Sequence, residues 1–215
     1  MVANMDPIHV GSVYAVFDRA FGIGLNTLPV EAVFHPRTNS VSLEFRYEFV
    51  SYRQFWDETA RRQFIAALER YNEDFEARNL INRHRQTRSV YGRVNGRLEW
   101  QTMRFTAVHV SYPVIEIGYR FRETEQGSRP FFTTLMRSAR SEEAHGSGLG
   151  QTESRQIRMH FTPSQAAALA DIFDQAFLMG LVQMHGVQEP PSAPLWWDDF
   201  DDFDDFYEFY DEQDD

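Results

Sequence analysis

Hydrophobic and polar residues alternate with a period of two over much of this chain, and with a helical period in two places. Between Val41 and Val50, the side chains of Val41, Leu43, Phe45, Tyr47 and Phe49 alternate with Ser42, Glu44, Arg46 and Glu48. That is the pattern of a strand with one buried and one wet face. With Val30 to Phe34 before it and a turn at Pro36-Arg37-Thr38-Asn39, it predicts a hairpin. Ser89–Val94 and Arg97–Phe105 flank Asn95-Gly96, a strong short hairpin signal. Val114 to Arg122 sends Ile115, Ile117, Tyr119 and Phe121 to one side and Glu116, Arg120 and Arg122 to the other. Phe131 to Ser138, Gln156 to Phe161 and His9 to Phe17 complete the predicted strands.

The first helical stretch runs from Tyr52 to Asn79. Ser51 followed by Gln54 reads as a capping box, and Trp56, Ala60, Phe64, Ala67, Leu68, Tyr71 and Phe75 form one apolar face. Arg61, Arg62, Glu69, Arg70, Glu73 and Asp74 take the other. The second helix follows Thr162-Pro163-Ser164-Gln165, a capping box with proline at the first helical position. Leu169, Ile172, Phe173, Ala176, Phe177 and Leu181 supply its stripe, which fades before Gly186.

Strands followed by a helix, then more strands and a helix, predict an α+β body: antiparallel sheet with two amphipathic helices packed on it. The body spans residues 1–186, with possible halves at 1–79 and 80–186, each a strand meander closed by a helix. Residues 187–195 hold three prolines and read as a linker, and residues 196–215 as a disordered tail. Ser141 to Glu153 is a Gly- and Ser-rich loop. In element order alone, the body resembles the PUR and Whirly single-strand nucleic-acid-binding folds, whose repeats are four strands and a helix. The first half offers three predicted strands and the second five. The resemblance implies single-strand binding.

Charge is distributed unevenly. The last eighteen residues, Asp198 to Asp215, contain eleven carboxylates, no base and an aromatic every two or three positions, and they equal the whole net charge of −11. Residues 80–161 carry thirteen Arg against seven acids. All 21 basic residues are Arg, which excludes a Walker-type phosphate loop and a Schiff-base lysine. Arginine brings planar forks suited to carboxylate or phosphate. With no Cys there is no disulfide, thiol nucleophile or Cys-ligated metal. No apolar run approaches the roughly 20 residues that span a bilayer, and no signal peptide is visible, so no membrane partner and a cytoplasmic location are expected.

Two surfaces follow from this distribution. In the tail, Trp196, Phe200, Phe203, Tyr207 and Tyr210 are spaced 4, 3, 4, 3, a helical stripe with Trp197 beside it. Such a segment can dock in a basic or apolar groove of a protein partner. It can also mimic a nucleic-acid strand, or simply keep the protein soluble. In the body, Arg97, Arg104, Arg120, Arg122, Arg158 and His160 are candidates for holding phosphates of single-stranded DNA or RNA, or the tail itself, with Tyr91, Trp100, Tyr112 and Tyr119 interleaved. If the aromatics instead face the core, the arginines pair with Glu99, Glu116 and Glu123. His109 and His160 read as strand-surface residues. No histidine spacing suits a metal, and neither Gly146-Ser147-Gly148-Leu149-Gly150 nor Gly22-Ile23-Gly24 has the strand-to-helix setting of a dinucleotide site. No cofactor, metal or catalytic residue is therefore assigned, although an active site can assemble from residues far apart in sequence. The expected function is binding without chemistry: a tail-mediated protein interaction first, and a single-strand nucleic-acid binder with a self-competing tail second. A homodimer would bury otherwise exposed faces.

Overall fold

The computed structural model describes residues 5–18, 25–81, 88–103, 106–124, 127–146 and 152–185. Four strands form an antiparallel meander at the start: β1 (Ile8–Asp18), β2 (Leu25–His35), β3 (Ser40–Tyr47) and β4 (Val50–Trp56). Helix α1 (Glu58–Glu76) follows at once. Then come β5 (Arg88–Asn95), β6 (Arg97–Thr102), β7 (Val108–Ser111), β8 (Val114–Thr124), β9 (Gly127–Met136), β10 (Glu143–His145) and β11 (Ile157–Phe161). Helices α2 (Pro163–Phe173) and α3 (Gln175–His185) close the body. The fold is α+β.

All eleven strands described belong to one antiparallel sheet, in the order β10-β7-β6-β4-β3-β2-β1-β11-β9-β8-β5. β5 stands at one end of that order and β6 near the other, yet Gly96 alone joins them. Tyr112 and Pro113 likewise join β7 to β8. The two Cα steps from Asn95 to Arg97 reach about 7 Å, far less than the width of the seven strands that separate β6 from β5 in that order. The sheet must therefore curl until its ends meet. Gly96 N donates to Pro113 O at 3.0 Å across the joint. β5 and β6 thus act as one bent strand whose first part pairs with β8 and whose second part pairs with β4, closing a ring.

The inward face of this ring holds the core. α1 lays Ala60, Phe64, Ala67, Leu68 and Tyr71 against it. Phe64 is the hub: its ring meets Phe132 of β9 at 5.2 Å, Phe173 of α2 at 5.1 Å and Trp56 of β4 at 5.7 Å, each nearly edge-on. Edge-to-face packing lets several rings share one centre without stacking their like-charged faces. No single helix among the described residues is long and apolar enough to cross a membrane.

Several expectations need correction. The first helix does not begin at Tyr52. Residues 50–56 form β4, paired on both sides with β3 and β6, and the cap is Asp57, whose carboxylate accepts from Ala60 N at 2.7 Å. Trp56 therefore reaches the core from a strand, and Phe75 is exposed. Arg61, expected on the wet face, is 1% exposed. Asn95-Gly96 is a ring joint and not a hairpin: β5 and β6 do not pair with each other, and Gly96 lacks the left-handed backbone that such a turn requires.

The second helix is two, bent by 51° at Asp174. Asp174 Oδ1 accepts from Phe177 N at 2.8 Å and so caps α3. In the new helix Leu178 is buried, while Ala176 and Phe177 are exposed. The Thr162–Gln165 capping box forms as expected. The first part of the chain supplies four strands before its helix, and both parts share one sheet through the β1–β11 and β4–β6 pairings.

Candidate anion-binding face

β8, β9, β11 and β1 lie side by side, and their outward positions collect the basic residues. Arg120 and Arg122 follow the outward parity of β8, whose other parity buries Ile115, Ile117 and Tyr119. Arg158 and His160 take the outward parity of β11, where Ile157, Met159 and Phe161 point to the core. β9 runs between them. His160 lies opposite Thr133 and Arg158 opposite Leu135, while Arg120 lies opposite Phe131. Asp18 ends β1 on the same face.

Asp18 is the hub of this arrangement. Its Oδ1 accepts from an Arg122 Nη and from His160 Nε2 at 2.9 Å, and its Oδ2 accepts from Arg158 Nη1 at 2.9 Å. The Tyr47 hydroxyl donates to the Asp18 main-chain carbonyl. Two guanidiniums and one imidazole thus converge on one carboxylate, and the Arg120 charge acts on the same His160 ring. Arg120 has no acidic partner among the described residues, and its Nε, like that of Arg122, is buried without a hydrogen-bond partner. Burial first, and the charge of Arg158 second, lower both Arg120 and Arg122 from the ordinary arginine value. Burial likewise lowers Arg158. Guanidiniums remain charged through such shifts, so the face keeps an excess of positive charge.

His160 is not a surface residue. Its side chain is 1% exposed, and burial, then Arg122, Arg158 and Arg120, push its pKa down to about 2. The ring is neutral, its Nε2–H donates to Asp18, and Nδ1 is buried without a partner. It positions Asp18 from below and is out of reach of a ligand above.

Glu116 lies further along β8, held by Arg93 at 3.5 Å and Arg137 at 3.6 Å.

A second feature lies at the ring joint. A cavity of about 700 Å³ opens over the outward face of β4 and β6, lined by His35, Arg37, Arg53, Phe55, Arg97 and Tyr112 among others. Its inner cations are already matched. Arg53 bonds Glu44 at 2.8 Å and Glu99 at 3.3 Å; Arg97 pairs with Glu99 and sits 4.9 Å over the Phe55 ring. His35 is held below its ordinary pKa, mainly by burial. This is a balanced network, unlike the face around Asp18.

The structure therefore brings Arg120, Arg122, Arg158 and His160 together and leaves Arg97 at the joint, apart from them. Arg104 lies outside the described residues, as do Trp196, Trp197, Phe200, Phe203, Tyr207 and Tyr210 of the tail. Of the interleaved aromatics, Trp100 and Tyr119 are buried in the core and cannot stack on a ligand; Tyr91 packs against it, and Tyr112 is exposed. His109 is buried too, stacked on Trp100 at 5.4 Å. Sequence reasoning missed Asp18, whose signal was an acid on the outward parity of β1, in register with nothing charged until the fold placed β11 beside it. Among the described residues no group of three or more His, Asp and Glu converges as metal donors.

No curated protein and no solved structure matches the chain. One family does, across residues 16–180, a stretch that covers most of the ring and both arms of the Arg face. The chain thus belongs to the family described as "Uncharacterised Treponema protein".

Proposed function

We propose that this is a non-enzymatic binding protein whose Arg120–Arg122–Arg158 face takes a single-stranded nucleic acid by its phosphates, with the acidic tail as a built-in competitor. The observation that carries this reading is the surplus of half-buried guanidinium over carboxylate around Asp18. Uncompensated charge held away from water is unfavourable until an anion arrives. Planar guanidinium forks suit phosphate oxygens. Tyr14, 59% exposed on the outward parity of β1, and the half-buried Phe131 of β9 supply ring faces beside the arginines. The tail, with eleven carboxylates and no base, has the charge to compete for the same face.

The test is fluorescence anisotropy of a labelled single-stranded oligonucleotide. It is titrated with the full chain, and with a full-length variant in which Asp198, Asp199, Asp201, Asp202, Asp204 and Asp205 are all changed to Asn. Binding should be salt-sensitive and tighter in the variant. Absence of saturable binding by both forms at low salt would overturn the reading.

A second reading rests on the tail's own spacing. Trp196, Phe200, Phe203, Tyr207 and Tyr210, with Trp197, would anchor the tail in a groove of a protein partner, its acids steering toward a basic rim. Under this reading neither protein form binds the oligonucleotide, and capture of a partner depends on those rings.

A further inference from the structure

We infer that Arg120 and Arg158 form a seat for one phosphate group over Thr133, and that Asp18 is the resident counter-ion that sets how tightly the seat holds it. This deepens the reading above and rests on it only for the source of the phosphate.

Three observations converge. Asp18 already demonstrates that the face holds an oxyanion, since two carboxylate oxygens there receive three donors from Arg122, Arg158 and His160. That half of the site is filled. The other half is not: Arg120 lacks an acid among the described residues. Between Arg120 and Arg158 lies a hollow of about 10 Å³, lined by both arginines, Ser89, Thr133, Leu135 and the Glu116 edge. A volume of that size admits about one oxygen-sized group. A phosphate resting on the face would place one oxygen in the hollow and present the others to the two forks.

The strand order explains why the seat is open. β9 separates the two arginine-bearing strands, which stand about 10 Å apart, and Arg120 and Arg158 lie diagonally across it, level with Phe131 and Leu135 on either side of Thr133. Thr133, a small residue on the strand between, leaves a trough that the long arginine side chains flank. Glu116 also lines the hollow, its Oε1 3.5 Å from Arg93 and 3.6 Å from Arg137, and its charge counts against the anion that the two forks attract. Asp18 competes directly, because Arg158 cannot give the same fork to both Asp18 and a ligand. Removing the Asp18 charge should therefore strengthen phosphate binding, whereas removing Arg120 should weaken it.

The experiment uses the full chain and two probes, inorganic phosphate by calorimetric titration and the single-stranded oligonucleotide by anisotropy. Arg120→Gln should weaken both by about tenfold, the worth of one charge-assisted hydrogen-bonding partner. Asp18→Asn, which keeps an acceptor oxygen for its donors, should tighten both. Arg37→Gln, at the ring-joint cavity, should change neither. If phosphate binding follows Arg120 while no form binds the oligonucleotide, the seat stands and the nucleic-acid reading falls. Should the oligonucleotide bind with no loss in Arg120→Gln, the seat is overturned and the nucleic-acid reading survives. Thermal melts accompany each variant; if Asp18→Asn is unfolded, Arg120→Gln alone decides, since Arg120 anchors no described contact.

Discussion

His160 Nε2 lies 2.9 Å from Asp18 Oδ1, and this contact holds a neutral imidazole beneath three guanidiniums. Its folded pKa is depressed to about 2, against about 6.5 in an unfolded chain. Between those values the unfolded state binds a proton that the folded state refuses. Stability is then full above about pH 6.5 and is lost as pH falls below it, with a slope approaching 1.4 kcal/mol per pH unit. His35, lowered chiefly by burial, adds in the same direction. Thermal midpoints between pH 7.5 and pH 5 should fall steadily, and His160→Gln should flatten the profile. A wild-type midpoint independent of pH across that range would contradict the assignment.

Arg61 ties together three segments distant in sequence. From its buried place on α1 it donates to Asn39 O at 2.7 Å, Trp56 O at 3.2 Å, Asn39 Oδ1 at 3.1 Å and Gln175 Oε1 at 2.5 Å. Arg61→Ala leaves those acceptors unpaired around a void and should destabilise by about 2–4 kcal/mol. Arg61→Met fills the space without the donors and should fall between. Urea titration of both variants checks the order.

Gly118 allows β5 to lie on β8. A Cβ built there would sit 1.9 Å from the Ser89 carbonyl oxygen, a backbone atom that cannot step aside. Gly118→Ala should cost about 3 kcal/mol through displacement of β5. Hydrogen exchange should show the loss first at β5 amides and leave β2 and β3 protected.

The β3–β4 turn is built from unfavourable residues. Glu48 and Phe49 both adopt left-handed backbone, at φ 50° and 63°, and Phe49 is 75% exposed. Phe49→Gly relieves a steric penalty without removing a buried contact, and keeps the Glu48–Arg155 pair. It should stabilise the fold by about 0.5–1 kcal/mol, seen as a higher thermal midpoint.

What the sequence made legible was local. The Thr162–Gln165 box, the turn after His35 and the outward parity of Arg120 and Arg122 depend on neighbours a few residues away, and all are found. Errors arose where one local pattern serves two structures. Trp56 fits a helical stripe with Ala60 and equally the strand alternation Tyr52, Gln54, Trp56; pairing of β4 on both edges decides for the strand. Asn-Gly suits a tight turn, but Gly96 is instead where Phe55 and Ile115 crowd the joint. The Arg face was half visible. Its arginines follow strand parity, whereas Asp18 and the buried state of His160 follow from β1 meeting β11, a pairing that no short stretch encodes.

The pairing of β1 with β11 also dictates an order of events during synthesis. β1 leaves the ribosome before the other strands of the sheet, while its partner edge on β11 emerges only after nine further strands and α1 have followed. Throughout that interval β1 carries an open strand edge, the feature most prone to edge-to-edge aggregation. Yield in a heterologous host should therefore track translation speed and chaperone supply more closely than it tracks the melting temperature of the finished protein.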